Sequence, residues 1–336
     1  MSVSVVQCGF EEAYDYCQVM LFKLNSKQYI VKNYSWPGRE TEVMTRVENI
    51  VAFFPAVDGK LKLFFESERK NVSFMSQYFY ENKCKGSVRT IDDLYNIIQK
   101  DKKFKARLIQ FYLEKNYSSD QEMIHALMTE DFKLDSQLKE MLIYFSMFEA
   151  EYLALLFDSM QMVKKEIKKL YKQKAEQLVK LQEDFDFDVI IEKKSILGKW
   201  AKEINELEVS FSYCNQYVFV SGEIIENRSW MILGCNFWDS LGRRWNSELP
   251  IEKIGNALGD AMRIRIIQEI QKRGEMSAPQ LAKLLNLPSS AVFYHLDVLK
   301  KAFVLCSRMS GRTAYYLVDR GTFEYAVQEL KTLGGM

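Results

Sequence analysis

The sequence predicts a mainly α-helical chain with a small β component. It divides into a helical N-terminal domain (residues 1–249) and a C-terminal domain of helix, turn, helix and hairpin wing (residues 250–336). Three observations predict this. Apolar residues recur at helical spacing, and the stretch from Ser136 to about Gln182 contains neither Gly nor Pro. Short alternating or β-rich runs lie only near the two ends of the N-terminal part. Ser277 to Leu299 reads as two capped helical segments around Asn286-Leu287-Pro288, followed by paired β-rich runs around Ser310-Gly311.

In chain order, Ser2 to Gln7 alternates apolar and polar residues and predicts an opening strand. Phe10 to Leu24 is helical, Trp36-Pro37-Gly38 breaks the pattern, and Glu40 to Phe54 resumes it up to Pro55. Leu61 to Phe65 is ambiguous between strand and helix. Thr90 with Asp93 forms a T-x-x-D cap ahead of Leu94, Ile97 and Ile98. The Gly- and Pro-free stretch is one very long helix or two with a concealed bend. Its seam of Met160, Val163, Ile167, Leu170, Lys174, Gln177 and Leu181 suits an antiparallel neighbour or a dimer mate. The lysines Lys164, Lys165, Lys168, Lys169 and Lys172 read as a solvated face. Glu206 to Tyr213, Tyr217 to Val220 and Trp230 to Cys235 predict a small sheet that the opening strand completes. Asp239-Ser240-Leu241-Gly242 and Pro250 mark the junction.

Beyond the junction, Asp260 starts a helix whose stripe is Met262, Ile266, Ile267 and Ile270, and Gly274 closes it. Ser277 with Gln280 makes an S-x-x-Q cap, with Pro279 in the first turn and Leu281, Leu284 and Leu285 on the apolar face. Ser289 or Ser290 caps the next helix, which runs to about Lys301. There Val292, Leu296 and Leu299 face the core, so Ser289, Ser290, Phe293, Tyr294 and Asp297 point largely outward. The runs Val304 to Arg308 and Thr313 to Val318 form a hairpin, with Arg308 and Arg312 at or near its tip. A helix of this kind can enter a DNA major groove, while wing guanidinium groups reach phosphates or the minor groove.

These blocks, LGDAMRIRII, EMSAPQLAKLLNLPSSAV, HLDVLKKAFVL and SRMSGRTAYYL, resemble the ArsR-type winged-helix family of bacterial transcriptional regulators. The resemblance covers roughly Ile251 to Val318, and Gly321 to Leu333 fits the family's terminal dimerisation helix. It implies a homodimer on a near-palindromic double-stranded operator, with two recognition helices in successive major grooves. It also implies a repressor under the control of a small-molecule effector. The residues assigned to DNA on this basis are Ser277, Gln280, Ser289, Ser290, Phe293, Tyr294, His295, Lys300, Arg308 and Arg312. The chain departs from the family pattern at several points. Ala261 stands where members usually have Pro, and Phe303 where they have a small Gly. Phe293 and Tyr294 replace the common Ser and Arg, and Asp297 replaces a basic residue. His295 matches a family histidine, for which packing or phosphate contact is the preferred reading over metal binding.

Composition narrows the class. With 336 residues and 48% hydrophobic content, the chain can bury two substantial cores. A net charge of +1 hides an asymmetry: from Glu252 on there are 12 basic and 8 acidic side chains, leaving the body mildly acidic. The six cysteines are scattered without CxxC, and only His125 and His295 are available, so a zinc site is not expected. The thiols read as reduced and buried, with Cys306 on the wing the one suited to a redox role. No apolar run of membrane-spanning length and no signal peptide is seen, which predicts a cytoplasmic protein without membrane contact. No P-loop, dinucleotide fingerprint, nucleophile elbow or HExxH is present, so neither enzyme activity nor a cofactor is expected. Asp184, Asp186 and Asp188 read as a solvated linker. Phe145, Phe148, Tyr152 and Phe157 read as core, with a ligand pocket as the alternative. The alternative to DNA reading is a protein-interaction module, favoured by the outward aromatics.

Overall fold

The computed structural model describes residues 3–27, 29–30, 40–67, 72–86, 88–130, 132, 134–188, 190, 203–216, 218–222, 224–237, 251–310 and 313–335. The N-terminal part opens with β1 (Ser4–Phe10) and α1 (Glu12–Leu24), followed by α2 (Glu40–Phe53). A 3-10 turn (Gly59–Leu61) runs into the short α3 (Lys62–Phe65). Next come α4 (Phe74–Lys83), α5 (Ile91–Lys100), α6 (Phe104–Leu113), α7 (Asp120–Thr129) and α8 (Ser136–Met147). Then follow α9 (Glu149–Gln173), α10 (Ala175–Glu183), β2 (Glu206–Ser212), β3 (Phe219–Ser221) and β4 (Arg228–Gly234).

The chain is mainly helical with a minor β component. The opening strand joins the later three in one mixed sheet of order β1-β2-β4-β3. Strands β1 and β2 both run parallel to their neighbour in the order, and β3 is antiparallel to β4. Side chains on β4 alternate between two cores. Trp230 and Ile232 enter the large cluster of the helical body, whereas Met231 and Leu233 join Leu207, Val209, Phe211, Leu181, Ile190 and Ile204 on the other face. A sheet covered on both faces accounts for the near-continuous apolar run of β4.

Helix α1 lies at the centre of the helical body, buried from Glu12 through Phe22. Its polar side chains are therefore matched internally, as desolvation demands. The Glu12 carboxylate accepts from Ile91 N (3.0 Å), Gln18 accepts from Asn215 (3.1 Å), and Tyr16 Oη meets Ser159 Oγ (2.8 Å). Buried Lys83 bridges Glu11 (2.9 Å) and Glu208, tying α4 to both the β1–α1 junction and β2.

The structure departs from the sequence reading at the long helical stretch and resolves the ambiguity at Leu61 to Phe65. The Gly- and Pro-free stretch is three helices, with breaks at Phe148 (φ −129°, ψ 44°) and Lys174 (φ −111°, ψ 14°). Its seam packs within the chain: Met160, Val163, Ile167 and Leu170 belong to the same buried cluster as α1, and Lys174 is the break itself, lying 5.6 Å from the Tyr213 ring centroid. The ambiguous Leu61 to Phe65 segment is helical, its turn capped by Asp58 accepting from Lys60 N (2.8 Å). The Thr90–Asp93 capping box is present. Lys165, Lys168, Lys169 and Lys172 are exposed, and half-buried Lys164 pairs with Asp92. Phe145 and Tyr152 are core, whereas Phe148 is exposed. The Trp36-Pro37-Gly38 breaker, Tyr217, the junction residues 239–242 and Pro250 lie outside the described residues, as does the boundary at 249/250.

The C-terminal part comprises α11 (Ile251–Leu258), α12 (Ala261–Arg273), β5 (Met276–Ser277), α13 (Ala278–Leu285) and α14 (Ser289–Lys301). The hairpin strands β6 (Leu305–Ser310) and β7 (Thr313–Val318) and the helix α15 (Arg320–Leu333) complete it. Its core is drawn, among the described residues, entirely from Ile254 to Ala326. None of the described helices is long and apolar enough to cross a membrane.

Candidate nucleic-acid interface

Local chemistry positions the interface helices. Asp260 caps α12 by accepting from Arg263 N (2.9 Å), and its carboxyl is held below the ordinary range by that bond. Ile266, Ile267 and Ile270 are buried as the stripe requires, with Met262 at its edge. Gly274 closes the helix at φ +89°, a left-handed conformation that costs a side-chain-bearing residue energy. Gln280 Oε1 accepts from both the backbone N (2.8 Å) and the hydroxyl (3.0 Å) of Ser277, fixing the start of α13. Asn286 takes the αL conformation (φ 53°, ψ 48°), and Leu287 N donates back to Ala282 O (3.0 Å).

The turn then delivers α14 without a side-chain cap. Pro288, rather than a serine, occupies the cap position, and its carbonyl accepts from Ala291 N (3.0 Å) and Val292 N (3.2 Å). A proline here presets the backbone and has no N–H of its own to satisfy. Both serines are thereby left exposed in the first turn. Leu284, expected on the apolar face of α13, is 39% exposed; Ala278, Leu281 and Leu285 at i, i+3 and i+7 do the packing.

Val292, Leu296 and Leu299 anchor α14 in the core. Opposite them, Ser289, Ser290, Phe293, Tyr294, Asp297, Lys300 and Lys301 are exposed, with Phe293 at 53% and Tyr294 at 63%. Asp297 is paired one turn on with Lys301, so the acid that stands where a base was expected carries its own counter-charge. The i, i+4 spacing of Asp297 and Lys301 is a sequence signal for this pair, and Lys283 on α13 is exposed beside the turn.

His295 turns away from this face. Its side chain is 17% exposed, and its Nδ1 lies 3.9 Å from the Asp260 carboxylate. Its ring meets that of Tyr294 edge-on at 5.6 Å. Ser277 is 4% exposed with its hydroxyl given to Gln280, so its role is in the cap, while Gln280 itself is exposed.

The wing is a regular antiparallel hairpin from Leu305↔Val318 to Ser310↔Thr313. Arg308 sits on β6 opposite Tyr315, and Arg312 lies outside the described residues. A third strand unforeseen from the sequence, β5, pairs Met276 with Tyr316 and Ser277 with Tyr315. It ties the wing to the start of α13. Two residues are below the usual length of a recognisable strand signal. Phe303, where a Gly was expected, adopts φ +58° and turns the chain from α14 into the wing. Cys306 donates its thiol to Leu317 O (3.7 Å) within the hairpin.

Comparison with known proteins falls on this same segment. Residues 258–305 match the family described as "Helix-turn-helix domain". An uncharacterized HTH-type transcriptional regulator of Methanocaldococcus jannaschii is 32% identical over 68 residues, 20% of this chain and 76% of that protein. Through this domain the chain belongs to the HTH-type transcriptional regulators. The transcriptional repressor SdpR of Bacillus subtilis is 28% identical over 69 residues, again 20% of this chain and 76% of the relative. Both relatives are thus mostly accounted for by the C-terminal domain, and the helical body is an addition to what they share with this HTH regulator.

Proposed function

We propose that this HTH regulator is a DNA-binding transcriptional repressor of ArsR type, acting as a homodimer whose N-terminal domain senses an effector. The observation that carries the DNA reading is the outward face of α14: serines, two aromatics and terminal lysines stand clear of a helix firmly anchored by three buried residues. In this reading Ser289, Ser290, Phe293 and Tyr294 address base edges. Lys300, Arg308 and Arg312 address the backbone or minor groove, Gln280 sets α13 beside the phosphates, and His295 supports Tyr294. Self-association is supported by α15, where Val327, Leu330 and Leu333 form an exposed apolar stripe at a three-residue spacing. Effector control follows if the ligand binds the DNA-competent and incompetent dimers with different affinity. The likeness to HTH-type transcriptional regulators supports action in the cytoplasm.

Fluorescence anisotropy on a selected duplex tests the contact scheme. Lys300→Ala and Arg312→Ala are expected to weaken binding to all sequences similarly and to lower the salt slope by about one each. Tyr294→Ala is expected to change sequence preference, with about 1–3 kcal/mol lost on the selected site. Unchanged binding in all three variants contradicts the orientation.

A further inference from the structure

The chemistry exposed on α14 narrows what the helix reads, on the footing that it enters a major groove. Guanine is ordinarily read by Arg or Lys, and adenine by Asn or Gln, through paired hydrogen bonds. The first two turns of α14 expose none of these; they present Ser289, Ser290, Phe293 and Tyr294, with Pro288 just ahead of them. Phe293 has no hydrogen-bonding capacity, yet it stands 53% exposed in the half of the helix that meets base edges in such motifs. The apolar feature that a natural base pair offers in the major groove is the thymine C5-methyl.

The surroundings of Phe293 argue for this occupant over an apolar protein surface. Lys283 on α13 and Lys300 at the end of α14 are exposed, Lys300 standing two turns from Phe293 on the same face of the helix. An apolar spot on a face that also carries an exposed cation fits a groove floor flanked by phosphates. Tyr294 is braced, its ring against His295, which in turn lies by the Asp260 carboxylate. Asp297, one turn on from Phe293 along the same face, has its charge balanced by Lys301. The apolar ring is thus set between a hydroxyl-bearing turn and a charge-balanced turn.

We propose that Phe293 is a specificity-determining residue that reads a thymine C5-methyl, so each half-site favours a methyl-bearing pyrimidine at one position. Seating one methyl against the ring is worth about fourfold in affinity, and about fifteenfold for the two half-sites of a dimer, from the ~0.8 kcal/mol gained per buried apolar carbon.

The test uses the full-length chain and duplexes enriched from a random pool, with each thymine replaced in turn by deoxyuridine, which removes the methyl and keeps base pairing. One position per half-site is expected to lose about fourfold. Cytosine there is expected to bind worse than 5-methylcytosine. Phe293→Ala is expected to lose the same factor on the thymine duplex and to be indifferent to deoxyuridine; because Phe293 is exposed, its unfolding midpoint should stay near that of the unaltered chain. Equal binding to every deoxyuridine duplex overturns the methyl reading and leaves DNA recognition standing. A deoxyuridine loss that persists undiminished in Phe293→Ala overturns the assignment to this residue. Failure to enrich any duplex overturns both this inference and the DNA reading beneath it, and assigns the face to a protein partner.

Discussion

At the residue scale, the most consequential group outside the interface is Asp15. It is fully buried on α1, where it accepts from Ser212 Oγ, from Tyr171 Oη (2.7 Å), and from the backbone N–H groups of Tyr213 (3.0 Å) and Cys214 (3.2 Å). Desolvation outweighs these four donors and pushes its carboxyl up from 3.8 to about 6. The folded chain therefore holds a proton that the unfolded chain releases between those values. The stability linked to Asp15 is fully present below about pH 4 and is lost as pH rises through about 6. The loss amounts to about 3 kcal/mol. Asp15→Asn is expected to remove this pH-dependent component at the cost of one backbone bond, because Tyr213 N and Cys214 N donate to different carboxyl oxygens and the amide offers only one. Urea unfolding at pH 4.5 and pH 7 checks it: parallel pH dependences in the parent and the variant contradict the assignment. Neither the burial of Asp15 nor its partners, 156 to 199 residues distant, could be read from local sequence. The outward set on α14 could, because anchoring at i, i+4 and i+7 fixes the opposite face within one element. The same logic missed Leu284, which lies at the margin of its stripe, where neighbouring elements decide exposure.

At the element scale, the four-stranded sheet depends on one close approach. Gly222, just after β3, lies so near β4 that a Cβ there would fall 2.2 Å from Trp230 Nε1. The Trp230 ring is nearly parallel to that of Tyr80 (6.0 Å between centroids, 10° between planes), so it has little freedom to yield. Gly222→Ala is expected to destabilise the chain by about 1–3 kcal/mol, read as a lower urea midpoint with an unchanged slope. An unchanged midpoint would show that the tryptophan moves freely. Strand locations were legible because alternation and β-branched runs are local signals, whereas the order β1-β2-β4-β3 was not: pairing β1 with β2 joins residues about two hundred positions apart. The breaks at Phe148 and Lys174 were concealed for a related reason. No Gly or Pro marks either one.

At the scale of the whole molecule, a compact reader is joined to a much larger helical body. The reader's core takes no residue before Ile251 among those described, and the similarity to known regulators covers only this part. Its scaffold was legible in the sequence almost residue by residue, because caps, breakers and short amphipathic stripes are dense there and act over a few positions. The body gave up its elements but not its assembly, since α1 is buried on every side and carries no amphipathic pattern from which its neighbours could be inferred.

The central claim is that the C-terminal domain of the intact chain reads double-stranded DNA. Selection of duplexes by the full-length protein from a random pool, followed by titration of the enriched duplex across salt concentration, tests it most directly. Enrichment of a near-palindromic sequence is expected, with log affinity falling linearly in log salt by about 0.9 for each phosphate neutralised. A pool that stays unenriched, or an affinity that does not change with salt, would contradict it.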